Sequence, residues 1–284
     1  FFVVQRMTKG TPVKIIKAEK VAVWGSKGKQ PSQLDSPRGI AISPDNHLYV
    51  VDMNNARIQK FTAEGVFVSS WGKKGDGKGE FNEPSGIGVD REGFVYAADA
   101  WNGRIQKFDS AGKYLGEIGG KKASFYSPRN VGINKYRIVY VADTGTSRIH
   151  KFDTEFNRIG NPGGGRGQAL GQFVEVFGLT FDSKGQVFAA DWGNRRINVM
   201  SSDLRPLSEI KVKAWETAPP MWPMLAMDSR DYLYAVSSGT QEIIVFDTND
   251  QKYRYVGTIK NDNEGKPLFA QPLGIAIDRE DNIY

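Results

Sequence analysis

Leu48-Tyr-Val-Val-Asp52-Met-Asn-Asn55-Ala-Arg57-Ile58-Gln-Lys-Phe61 contains two short apolar runs joined by polar turn residues. Runs of four to seven β-branched and aromatic residues read as strands, and the Asp-Met-Asn-Asn stretch between them reads as a tight hairpin. The phrase returns as Val95 to Phe108, Val139 to Phe152 and Val187 to Met200, and in a worn form as Leu233 to Phe246. Each copy follows an opening of one kind: Pro37-Arg38-Gly39-Ile-Ala-Ile-Ser-Pro-Asp45, then Pro84-Ser-Gly86-Ile-Gly-Val-Asp90, and at the far end Pro272-Leu-Gly274-Ile-Ala-Ile-Asp278. Pro128, Val176 and Pro223 stand at the same point between them, so repeats begin near 37, 84, 128, 176, 223 and 272, at a spacing of 44 to 49 residues.

A period of this length belongs to solenoids, arrays or propellers. No window sustains a helical apolar spacing over ten residues, because Pro or Gly interrupts nearly every candidate. The second repeat divides into four strands, a to d, at about Gly86 to Val89, Phe94 to Ala98, Arg104 to Phe108 and Tyr114 to Gly119. Four antiparallel strands per repeat, closed radially, form one propeller blade, whereas a linear stack needs capping repeats that are not visible. The termini support closure. Phe1 to Thr8 matches a strand c, Val21 to Gly25 matches a strand d, and Gly274 to Ile277 with Asn282 to Tyr284 supplies strands a and b. The expected fold is all-β: a six-bladed β-propeller of four-stranded antiparallel blades, closed by strands from both termini. Residues 1–284 read as one domain in which 1–25 complete the last blade. A chain that begins without Met and stops inside strand b reads as a stretch of a longer polypeptide.

Composition agrees with one globular ring. The chain has 39% hydrophobic and 25% charged residues and no run approaching 18 apolar residues, which excludes a transmembrane helix within it. The absence of Cys excludes disulfides, thiolate metal sites and cysteine catalysis. The formal charge of +6 is compatible with an acidic partner without demanding one.

The repeat phrase resembles that of the NHL family of β-propellers: a Pro-x-Gly-Ile-x-x-Asp opening, then Tyr-Val-x-Asp and Asn-x-Arg-Ile. The match is close in the first two repeats and good in the next two, while the fifth carries Ser237 and Glu242 where Asp and Arg stand elsewhere. The resemblance covers the chain beyond about residue 30 and implies the fold. Propellers host binding modules, scaffolds and enzymes alike, so function has to be argued from residues.

Asp52/Arg57, Asp99/Arg104, Asp143/Arg148 and Asp191/Arg196 recur at one place in successive repeats. Each pair flanks a hairpin, so the carboxylate is expected to accept turn N–H groups and pair with the Arg across the ladder. The role expected is structural, because catalytic groups need a singular environment. Gly-rich stretches such as Trp71 to Gly79 and Gly160 to Gly167 lead into strands, not into the helix a phosphate loop requires. With only His47 and His150, far apart in sequence, no metal site, acid–base pair or Ser-His-Asp arrangement is expected, and the chain reads as no enzyme, without cofactor or metal. A metal-dependent lyase or hydrolase is the least favoured reading.

In a propeller the loops leading into strand a and the b–c turns share one face. Here that face carries Arg38, Trp101, Asn102, Arg129, Phe177, Trp192, Arg195 and Trp222, with Trp101 and Trp192 read as equivalent. Trp and Arg dominate binding hot spots. The expected function is a noncatalytic scaffold binding a protein or glycan through this face, in an extracytoplasmic setting. The alternative is RNA, as in NHL propellers of RNA-regulating proteins, with Lys73, Lys74, Lys78, Lys121 and Lys122 on phosphates; Asp76, Glu80, Glu83 and Glu175 dilute that charge.

Overall fold

The computed structural model describes residues 2–7, 18–120, 125–218, 221–262 and 264–284; Phe1, Thr8, Lys121 and Lys122 lie outside them. Five antiparallel four-stranded sheets follow one another in chain order. Blade 1 is Pro37–Ile42, His47–Asp52, Arg57–Thr62 and Phe67–Trp71. Blade 2 is Pro84–Val89, Val95–Asp99, Arg104–Phe108 and Tyr114–Gly119. Blade 3 is Pro128–Ile133, Val139–Asp143, Arg148–Phe152 and a strand d reduced to Gly163–Gly164. Blade 4 is Val176–Phe181, Val187–Asp191, Arg196–Met200 and Pro206–Lys211. Blade 5 is Leu225–Met227, Tyr232–Ser237, Glu242–Asp247 and Arg254–Ile259.

Both termini build the sixth blade. Phe2–Met7 pairs on one side with Ala18–Trp24 and on the other with Asn282–Ile283. Ile277 bridges Ile283, and Ala276 and Tyr284 exchange backbone hydrogen bonds, which adds strand a. The pairing of strands from both termini closes the ring.

Six apolar clusters fill the six seams between neighbouring blades. Tyr49, Val51, Phe81, Ile87 and Phe108 fill the seam between blades 1 and 2, while Leu34, Ile40, Val50, Phe61, Ala276 and Tyr284 fill the closing seam between blades 6 and 1. This arrangement explains the sequence pattern. Strand b is covered on both faces by adjacent blades, so Leu48 to Asp52 are all buried and the run is continuously apolar. Strand d forms the outer rim, and Phe67–Trp71 alternates between half-buried and exposed. Burying a Phe such as Phe108 fully contributes about 1.5–3 kcal/mol.

Strand a crowds the axis. A Cβ on Gly39 would lie 2.7 Å from the Ser85 carbonyl oxygen, and one on Gly86 would lie 2.6 Å from Asn130 Cα. Only Gly permits this approach where the position faces a neighbouring backbone.

Two expectations change. The link from blade 4 to blade 5 contains a short α-helix, Lys213–Thr217, whose Trp215 is fully buried and donates Nε1–H to the Val236 carbonyl at 3.2 Å. Five residues are too few to show a helical period in a ten-residue window. In blade 5 the pairing of Leu225 with Ala235 places Met224, not Leu225, at the axial position of Gly39 and Gly86; Trp222, not Pro223, takes the place of Pro37.

Candidate binding face and channel mouth

In blades 1 to 4 the b–c turn is bonded to the loop that leads into strand a of its own blade. The N–H groups of Asn54, Trp101, Gly145 and Trp192 donate to the carbonyls of Asp35, Asn82, Tyr126 and Glu175. The two loop sets form one face, and the repeated Asp is its anchor. Asp99, fully buried, accepts from Asn82 N–H at 2.7 Å, Arg104 Nε at 2.8 Å, Asn102 Nδ2 at 2.9 Å and Gln106 Nε2 at 3.2 Å. Arg104 then donates to the carbonyls of Gly77 and Glu80 and to the Glu117 carboxylate. Asp52 with Arg57 and Asp191 with Arg196 repeat the arrangement. Burial raises the Asp99 and Asp191 carboxyls above the ordinary range, against the lowering by these donors.

Blade 3 departs from the expected ladder. Arg148 is exposed and makes no ion pair with Asp143 among the described residues; Asp143 accepts instead from Tyr126 N–H and Thr146 Oγ1. His150 occupies the place of Gln59 and Gln106, with Nε2 at 3.7 Å from Asp143 and Nδ1 at 3.0 Å from Arg158. The replacement of a Gln donor by a ring changes what the hairpin can hold, and the Arg swings out.

The residues singled out on this face have different environments. Trp101 is 65% exposed at the tip of its turn. Asn102 is a hairpin tie, donating to Gly75 O and Asp99. Trp192 is half-buried and directly follows Asp191, whereas Trp101 stands two residues after Asp99, so the two are not equivalent positions. Arg195 is exposed and donates to Glu216 O at 3.0 Å. Phe177 is only 4% exposed; it packs into the ring where blades 1 and 3 carry Arg38 and Arg129. Tyr126, 72% exposed, joins this face without an Arg or Trp to mark it in the sequence. The repeat alignment carries its signal: buried Leu34, Phe81 and Phe125 are each followed by a residue whose N–H caps the ladder Asp, and Tyr126 is that residue in blade 3.

The first strands of all six blades line a central channel of about 210 Å³. At its Gly level two larger side chains meet, Asn130 Nδ2 donating to Met224 Sδ at 3.0 Å. Above them stand Arg38 and Arg129, each the second residue of its strand a. The Arg38 guanidinium lies 3.4 Å from the centroid of the Trp222 ring, and its Nε faces Met53 Sδ at 3.4 Å. Burial, and then the charge of Arg129, draws the Arg38 pKa down to about 10. Arg129 is lowered by burial and opposed by Glu83, whose carboxylate is 3.8 Å away, and by Glu175. His47, beside Asp45 on the opposite face, and His150 are far from one another in the ring. The described residues hold no group of three His, Cys, Asp or Glu placed to bind a metal, and no helix among them is long and apolar enough to cross a membrane.

A family model described as a 6-bladed beta-propeller matches residues 34–121. No curated protein sequence matches the chain. Among solved structures, a streptogramin B lyase aligns at 14% identity over 87% of this chain and 89% of its own, with a TM-score of 0.60. A catalytically inactive virginiamycin B lyase from Staphylococcus aureus, solved with quinupristin, aligns at 14% identity over 95% and 83%, with a TM-score of 0.62. A chain of a nidogen/laminin complex aligns at 16% identity over 96% and 97%, with a TM-score of 0.66. At these identities the likeness is one of fold. It corrects one expectation: the reading of the chain as no enzyme does not stand, because this ring architecture also carries lyases. The His count that motivated it bears only on His-based chemistry. The chain is a β-propeller of four-stranded antiparallel blades.

Proposed function

We propose that this propeller, of NHL type by its repeat phrase, binds a protein partner through the face of the loops leading into strand a and the b–c turns. The observation that carries the reading is Trp101. Its indole is exposed, yet its backbone is fixed by the Asn82 carbonyl and by the buried Asp99, Asn102 and Arg104 network one turn below. An aromatic side chain on a rigid turn loses little conformational entropy on binding and supplies a large apolar area. Tyr126 and Met221, exposed on loops of the same face, extend it, and Arg195 adds a cation. A propeller in a nidogen/laminin complex is consistent with the same class of role.

The test is a quantitative pull-down from native extract with and without nuclease treatment, comparing wild type with Trp101→Ala and Trp192→Ala. Trp101→Ala should weaken capture of a specific protein by about tenfold or more, with the melting temperature unchanged. Equal capture by the variant would remove the assignment, and capture that vanishes with nuclease would replace protein by RNA.

A further inference from the structure

Arg38 differs from the arginines of the ladder. Arg57, Arg104 and Arg196 each donate to a carboxylate and to two backbone carbonyls. Arg38 makes no ion pair among the described residues. Among the described residues its Nε meets only the Met53 thioether, a weak acceptor, and its Nη1 is buried with no hydrogen-bond partner. The guanidinium plane is nonetheless held in place by stacking on Trp222. A buried, oriented and unsatisfied donor calls for a cause.

The ring supplies two further donors at the same level. Ser85 and Arg129 hold the position of Arg38 in the next two blades. Ser85 is buried, and its hydroxyl makes no hydrogen bond among the described residues. Among the described residues the one ion pair of Arg129 is with Glu83, at 3.8 Å, beyond ideal hydrogen-bond reach. Arg38, Ser85 and Arg129 thus take one strand position in three consecutive blades at the mouth of the channel, and the charge of Arg129 acts on Arg38.

We propose that this mouth binds a carboxylate group, held by the forked donors of Arg38 and Arg129 with the Ser85 hydroxyl between them. A planar carboxylate matches a guanidinium fork with two parallel bonds. Glu83 and Glu175 beside Arg129 favour a monoanion over a doubly charged phosphate. The carboxylate comes from a free small acid or from a chain terminus or acidic side chain of the partner; in the second case the inference deepens the partner-face reading and rests on it.

Arginine Nε–Hε resonances of the intact protein report the site. Sodium acetate, N-acetylglycylglycine, its amide, sodium phosphate and sodium chloride are titrated at constant ionic strength. Acetate and N-acetylglycylglycine should shift the Arg38 and Arg129 signals saturably, and the amide and chloride should not. Arg38→Gln, Arg129→Gln and the charge-preserving Arg38→Lys should each weaken the response by about tenfold or more, with backbone spectra otherwise unchanged. Tighter binding of N-acetylglycylglycine than of acetate assigns the carboxylate to a chain terminus, and equal binding assigns it to a free acid; both support the site. Shifts shared with chloride, tighter binding of phosphate, or undiminished binding in both Gln variants would overturn it. If acetate leaves both signals unmoved while Trp101→Ala still abolishes partner capture, this inference fails and the face reading survives. If carboxylates bind and Trp101→Ala has no effect, the outcome is the reverse.

Discussion

Asp99→Ala removes an acceptor on which four donors converge within 3.2 Å, in a side chain with no exposed surface. Orphaning a buried donor costs about 1–3 kcal/mol, and unpairing a buried ion costs about 3–5 kcal/mol. Two features reduce the total. Arg104 keeps Glu117 at 2.9 Å and the carbonyls of Gly77 and Glu80, so its charge is never unpaired. Burial also raises the Asp99 pKa, which means the native carboxylate carries a desolvation cost that the variant sheds. The net destabilisation expected is about 2–3 kcal/mol, dominated by the Asn82 N–H and the Asn102 and Gln106 amides. Asp143→Ala is the internal control. It removes the acceptor of Tyr126 N–H and Thr146 Oγ1, but Arg148 is already exposed, so about 1 kcal/mol is expected. Urea unfolding at pH 7, followed by tryptophan fluorescence with equal m-values, measures both. A cost for Asp143→Ala equal to that for Asp99→Ala, or an Asp99→Ala midpoint matching wild type, would refute the ladder account.

Gly86→Ala should destabilise by about 1–3 kcal/mol, because its Cβ meets Asn130 Cα at 2.6 Å and Arg129 O at 2.7 Å and neither backbone atom can yield cheaply; the same urea assay reads it. Arg38→Met should leave the melting temperature at or above that of wild type, since it removes a charge that burial disfavours; a lower melting temperature would show that stacking on Trp222 outweighs desolvation. The Asp99 carboxyl should titrate by carbon NMR above about 3.9, the ordinary Asp value. Its folded pKa exceeds its unfolded one, so the proton-linked part of its stability is complete below the unfolded value and is lost as pH rises through the folded value, while the hydrogen bonds tested at pH 7 persist.

The order of strands, the closure by both termini and the repeated Asp–Arg hairpin tie were legible along the chain, because each is written in local pattern. Turn residues at Asp52 to Asn55 fix a hairpin wherever they occur, and strands covered on both faces must be continuously apolar, as Leu48 to Val51 are. Tertiary structure decided what depends on register and on groups far apart in sequence. The slip that puts Met224 at the axial Gly position follows from pairing with Ala235, and it brings Met224 to Asn130 across the channel. The exposure of Trp101 and the burial of Phe177 both follow from which way a residue beside strand a or a b–c turn faces once neighbouring blades are packed. Nothing near Arg38 in sequence announces Trp222 or Arg129. Only ring closure sets residues 38, 129 and 222 around one channel mouth, where low solvent access turns an ordinary arginine into an unsatisfied one.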